Sequence, residues 1–274
     1  MCSPKVISQV QQTLSRRSLL KLGAGVVAAS TLPLTSARAQ PAGMRFNNIQ
    51  DLTHTLSPSF PVFPAYEPMK ITKQYDVNED GFYTNRWDVA EHSGTHLDAP
   101  AHFVAGSQAA DQIEAAQLFA PAVIVDISDK AAHNADAGVS VADLTTWEDE
   151  HGQIPEGAAV LMNSGWASRL VGGDTFLNPD DSGTLHFPGF LPGAAEFLVG
   201  ERNIVGIGVD TPSLDLGKAS VFDVHVTVLG AGYWGLENLA NLSTLPPVGA
   251  WVIVGGPKVE GASGGPARVF AVWD

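Results

Sequence analysis

Three histidines and an aspartate crowd into one short stretch, His92-Ser93-Gly94-Thr95-His96-Leu97-Asp98-Ala99-Pro100-Ala101-His102-Phe103, in a chain that holds only eight histidines. The offsets between the four side chains are all even, so an extended backbone turns His92, His96, Asp98 and His102 to one face. A helix would align His92 with His96 but carry Asp98 roughly 200° away from His96, and Gly94 and Pro100 both oppose one. The sequence therefore predicts an extended segment, bent at Gly94 and stopped near Pro100. Imidazole with carboxylate and no thiolate suits zinc, manganese or iron, and three protein ligands would leave an open position for water. The competing reading, histidines satisfied as polar groups in a strand and an aspartate capping a turn, accounts less well for so dense a cluster.

Residues 1–39 read as a targeting segment and are set apart from the fold. Twin arginines in Ser15-Arg16-Arg17-Ser18-Leu19-Leu20-Lys21 precede an apolar run from Leu22 to Leu34, and Ala37-Arg38-Ala39 offers a small-x-small cleavage site. This is the pattern of a Tat export signal, and the run is shorter than the roughly 20 residues of a spanning helix. Export would leave residues 40–274 as one domain, periplasmic or secreted, with no membrane attachment. The segment takes Lys5, Arg16, Arg17, Lys21 and Arg38 with it and no acid, leaving 10 basic against 29 acidic residues and a formal charge of −19. Such a surface disfavours nucleic acid and anionic lipid. The sole cysteine, Cys2, also leaves, so the mature chain has neither a disulfide nor a thiolate ligand.

The remaining length fits a single domain. Strands are expected at Ile49–Leu56, Phe82–Ala90, Ala122–Ile127, Ala158–Met162, Ile204–Val209, Trp251–Val254 and Val269–Trp273. Helices are expected over Ala109–Phe119, ended by Pro121, over Val139–Glu150 with Ser140 as cap, and over Ala194–Val199. Prolines 58, 61, 64 and 68 force an extended loop bearing Phe60, Phe63 and Tyr66, aromatics that either wall an apolar pocket or cover the edge of the core. Trp166, at the end of a strand, either stacks on substrate or is core. Gly172–Gly189 reads as a surface loop or lid. Asp210, before Thr211-Pro212-Ser213, either orients a metal-binding histidine or caps its own turn. The Gly-rich stretch from Lys258 to Arg268 lacks the order of a phosphate loop, and His225 alone, among apolar residues, reads as a core histidine.

The stretch from His92 to Phe103 meets every fixed position of H-x-G-T-H-x-D-x-P-x-H-F and so resembles the metal-dependent cyclase, or kynurenine formamidase-like, hydrolases. The resemblance continues through Gly106-Ser107, Pro121–Ile127, Gly208–Ser213, and His225 with Glu237-Asn238-Leu239. It implies an α/β fold, a single β-rich domain of the swivelling β/β/α type, with homo-oligomers common. It implies His92, His96 and Asp98 around a first ion, Asp98 bridging, and His225 with Glu237 holding a second where two are present; zinc or manganese is expected. It also makes His102 a proton shuttle rather than a ligand.

The activity implied is hydrolysis of a carbon–nitrogen bond in a small amide, an aryl formamide such as N-formyl-kynurenine of tryptophan catabolism or a cyclic amide such as isatin, with Phe63 and Trp166 as candidate substrate contacts. The alternative is an exported metal-binding protein without turnover, which would need neither His102 nor an aromatic pocket.

Overall fold

The structure, a computed structural model, describes residues 45–274; the export signal expected over residues 1–39 lies outside the described residues. In chain order the strands are β1 (Asn48–Asp51), β2 (Lys70–Tyr75), β3 (Thr84–Asp88), β4 (His96–Asp98), β5 (Phe119–Asp126), β6 (Gly138–Val139), β7 (Ala159–Asn163), β8 (Gly189–Phe190), β9 (Gly206–Val209), β10 (Trp234–Glu237), β11 (Ala250–Gly255), β12 (Gly264–Pro266) and β13 (Arg268–Trp273). Three longer helices join the central ones: α1 (Val141–His151), α2 (Pro192–Glu201) and α3 (Asp223–Gly230).

Alternation within short apolar runs builds the centre of the molecule. Val123 and Val125 of β5, Val160 and Met162 of β7, and Ile207 and Val209 of β9 face one way and pack on Leu144 and Trp147 of α1, Leu198 of α2 and Val224 and Val228 of α3. Their neighbours Ala122, Ile124, Ala159 and Leu161 face the other way and meet Leu236, Val252, Val269 and Ala271. Strands buried on both faces lie in parallel ladders closed by helical crossovers. β5, β7, β9 and β10 are parallel in that way. The complete sheet is mixed, in the order β1-β13-β11-β5-β7-β9-β10-β4-β12. It curls into a half-barrel, so the second core is closed by the sheet itself. This is the expected β-rich α/β architecture.

Local chemistry explains where the elements differ from those expected. Ser140 caps α1 through a reciprocal bond with Asp143, as its sequence predicts. The helix expected over Ala109–Phe119 is instead two 3-10 turns, Ala110–Gln112 and Ala115–Leu118. Pro121 sits inside β5, which it can do because the parallel ladder with β7 begins only at Ala122. The expected strand Phe82–Ala90 shortens to β3, which pairs only with β2; every residue of β2 is exposed, as is Trp87 of β3. Gly172–Gly189 is no free lid, since its Phe176 and Phe187 are fully buried against Trp166.

Glycine serves packing in β9. A Cβ on Gly206 would come 2.3 Å from the ring of Trp234, and one on Gly208 2.7 Å from Leu161. Trp234 fills that space and donates its indole N–H to the Gln117 carbonyl at 3.0 Å. Gly206→Ala is therefore expected to cost about 1–3 kcal/mol, the usual scale of overpacking, and to lower Tm by several degrees; an unchanged melting temperature would show that Trp234 has somewhere else to go.

Candidate metal centre

The register between β4 and β10 sets the first two side chains. His96 lies directly opposite Glu237, and cross-strand partners share a face; the His96 Nε2 to Glu237 Oε2 distance is 3.3 Å. Asp98, two residues on, points the same way, while Leu97 between them points into the core. Gly235 faces Asp98 across the ladder, and a Cβ there would meet Leu214 at 2.7 Å.

His92 reaches the same point by a different route, because the backbone turns at Gly94, where φ is +64°. A Cβ at Gly94 would lie 2.9 Å from Leu56, so both the turn and the packing call for glycine. His92 Nδ1 stands 2.6 Å from Asp98 Oδ1. His225 projects from α3, its Nε2 3.0 Å from Glu237 Oε1 and 3.4 Å from Asp98 Oδ2. His92, His96, Asp98, His225 and Glu237, named from the sequence, thus converge in space, and all five are buried.

Two of the histidines spend Nδ1 outside the cluster. His96 Nδ1 donates to the Gly94 carbonyl at 2.8 Å, a carbonyl that also accepts from the Asn238 amide at 2.9 Å. His225 Nδ1 bonds Asp215 Oδ2 at 2.6 Å. Each therefore turns Nε2 toward the centre, the arrangement that outer partners impose on metal-binding imidazoles. Asp215 takes the part considered for Asp210. Asp210 instead accepts from Ser164 Oγ at 2.5 Å and from the Trp166 backbone N–H at 2.9 Å; burial pushes its carboxyl up to about 6 against those donors. Nothing in the sequence spacing separates the two aspartates.

The electrostatics call for positive charge. Burial alone would raise the carboxyls of Asp98 and Glu237, yet the surrounding imidazoles hold Asp98 well below its usual range and Glu237 below its own. Burial likewise opposes charge on His96, but Asp98 and Glu237 raise it to about 10, and His225 is raised well above its usual value by Asp215, Asp98 and Glu237. His96 Nε2 and Asp98 Oδ2 are buried without a hydrogen-bond partner among the described residues. Unpaired buried atoms of this kind are costly, and a divalent cation held by nitrogen and carboxylate oxygen would satisfy both. The donor set fits a metal ion.

His102 follows β4 on a 3-10 turn, Pro100–His102. Its ring stacks on His92 with centroids 3.7 Å apart and lies 6.1 Å from the His225 ring. Burial lowers its pKa to about 4, with Asp98 opposing and His92 and His225 adding to the fall. Ligand atoms of Asp98, His102 and His225 lie within 4.8 Å of one another, as do those of His92, His96 and Asp98. A cavity of about 170 Å³ opens above these groups, walled by Phe63, Tyr66, Phe103 and Phe222. Phe63 therefore lies where a substrate contact was expected. Trp166 does not line it: the indole is 1% exposed, bonded to the Phe176 carbonyl at 2.8 Å and covered by Arg169.

A carboxylate and imidazole centre at the end of β4 and β10, beside a mixed sheet backed by helices on one face, defines a class of fold and site. The family model described as "Putative cyclase" matches residues 50–216. An isatin hydrolase of Roseibium aggregatum is 34% identical over 242 residues, which is 82% of this chain and 91% of that protein. A kynurenine formamidase of Salinibacter ruber is 26% identical over 222 residues, 80% of this chain and 94% of that one. Among solved structures, isatin hydrolase A from Ralstonia solanacearum superimposes with a TM-score of 0.78 at 38% identity, covering 83% and 92% of the two chains. The chain belongs to the cyclase family.

Asp98→Ala is expected to abolish stoichiometric metal uptake, read by elemental analysis, since it removes a carboxylate that lies within 3.4 Å of all three imidazoles. Asp215→Asn, which of the five cluster side chains touches His225 alone, should weaken uptake about 10–100-fold. Full occupancy in the first variant would remove Asp98 from the ligand set.

Proposed function

We propose that the chain is a metal-dependent hydrolase that opens the carbon–nitrogen bond of a small aromatic cyclic amide of the isatin type, with His92, His96, Asp98, His225 and Glu237 holding one or two divalent ions, zinc or manganese. The observation that carries this reading is the convergence of three imidazoles and two carboxylates, of which His92, His96, His225 and Glu237 line the floor of an aromatic-walled cavity that His102 also lines. When bound, such an ion would lower the pKa of a water toward about 7 and polarise the amide carbonyl.

The rest falls to the chain's own side chains. Phe63, Phe103 and Phe222 meet edge to face, Phe63 to Phe222 at 6.3 Å and Phe103 to Phe222 at 5.6 Å, and offer flat apolar walls to a planar ring. Tyr66, over His92 at 5.9 Å, closes one side. His102 makes no side-chain hydrogen bond among the described residues and is free to take the proton of the attacking water and return it to the leaving nitrogen. The water oxygen joins the carbonyl carbon, the carbon–nitrogen bond breaks, and the ring opens to a single product that carries both the carboxylate and the amine. A cyclic amide is preferred to an aryl formamide because the relatives named isatin hydrolases are the more similar ones, at 34% and 38% identity against 26%.

Export of residues 40–274 to the periplasm belongs to the same reading, on the strength of the twin arginines and cleavage site. So does a homo-oligomer, in which the exposed apolar side chains Ile71, Tyr83 and Trp87 of the β2–β3 region would be covered; sedimentation would show a single protomer mass if that is wrong.

His102→Ala is expected to keep its metal and lose at least about 10² in rate; loss of metal from that variant would make His102 a ligand instead. Purified, metal-loaded enzyme should turn over isatin with a kcat/KM at least about tenfold above that for N-formyl-kynurenine. The reverse order would overturn the cyclic-amide assignment, and hydrolysis of neither would favour the non-catalytic metal-binding alternative.

A further inference from the structure

His92 differs from the other cluster histidines in how its outer nitrogen is held. Its Nε2 lies 2.9 Å from Ser263 Oγ. That hydroxyl lies 2.5 Å from Glu91 Oε2, and the Ser263 backbone N–H donates to the same oxygen at 3.1 Å. A hydroxyl has one proton to give. With the carboxylate accepting it, Ser263 has only lone pairs to offer His92, so His92 carries its proton on Nε2 and turns a bare Nδ1 toward Asp98 Oδ1, 2.6 Å away. Two lone pairs so close repel unless positive charge lies between them.

We propose that Glu91 and Ser263 are positioning residues for His92, a relay from carboxylate through hydroxyl to imidazole that fixes the ring and its tautomer for the ion. The proposal rests on the metal-centre reading above. It gives a role to the Gly-rich turn Gly261–Gly265, which the sequence leaves without one. The strand pairing of β12 with β4 sets Gly264 opposite Asp98, and Ala99 N–H donates to the Ser263 carbonyl at 2.9 Å, so one ladder places both the relay and the carboxylate. Gly264 itself makes the room: a Cβ there would lie 2.7 Å from His92 Cε1 and 2.3 Å from the Leu97 carbonyl.

The test uses the metal-free protein, titrated with Zn²⁺ against a chromophoric chelator and with Co²⁺ by visible absorption. Ser263→Ala is expected to weaken Zn²⁺ binding about 10–100-fold and to shift the Co²⁺ bands, with the far-UV circular dichroism melt of the metal-free chain little changed. Ser263→Thr should regain affinity and spectrum where Ser263→Val, of similar volume, does not, which keeps the comparison meaningful if either variant loses stability. Glu91→Gln, whose amide oxygen still accepts the hydroxyl proton, should stay near wild type, and Glu91→Ala should fall toward Ser263→Ala. Equal Zn²⁺ affinity and Co²⁺ spectra in wild type, Ser263→Ala and Ser263→Val would overturn the relay while leaving the centre standing. Failure of the wild type to bind either ion would overturn both.

Discussion

Buried carboxylate against buried imidazole is the constraint on which the rest depends. Asp98 and Glu237 are almost wholly inaccessible, and isolated ionised carboxylates in such a place would be prohibitively expensive. They are tolerated because the pairing of β4 with β10 lays them beside His96 while α3 brings His225 down between them. The same arrangement draws positive charge into the cluster, as the raised His96 shows. A site that gathers protons when empty is one that a divalent cation relieves when filled, and proton release on metal uptake is the ordinary consequence.

The scaffold around this cluster is built for rigidity. Each imidazole is oriented from outside: His96 by a backbone carbonyl, His225 by Asp215, His92 by Ser263. Leu214 N–H donates to Glu237 at 3.0 Å, so the loop after β9 fixes both Glu237 and, through Asp215, His225. Ligand sites of open α/β sheets lie beyond the carboxyl ends of the strands, and that loop leaves the carboxyl end of β9.

Much of the site was legible because its candidate ligands cluster in sequence and the family signature adds the distant pair. Even spacing correctly implied convergence, though for only part of the reason: strand alternation serves His96 and Asp98, while a left-handed turn at Gly94 brings in His92 and a 3-10 turn brings in His102. The outer partners were not legible. Asp215 and Ser263 meet their histidines through tertiary contacts over 10 and 171 positions, and neither has a local signature. The same limit applies to the fold. Apolar runs such as Ala122–Ile127 declare themselves, but the polar ribbon of β2, exposed along its whole length, carries no burial pattern to read, and Pro121 misleads because its tolerance depends on where a neighbouring strand begins.

The sheet order also separates attachment from chemistry. β1 and β13 are paired at one margin, with Asn47 N–H donating to the Trp273 carbonyl at 3.0 Å, whereas β4 and β12 stand at the opposite margin. Entry to and departure from the folded body therefore happen side by side, at the Trp273 end of β13, opposite the Arg268 end at which the chain arrives from β12. Cargo or a tether grafted beside Asn48 or Trp273 would leave from the Trp273 end of β13, and joining those two points while cutting the chain in the exposed ribbon would give a permuted protein with the same strand order.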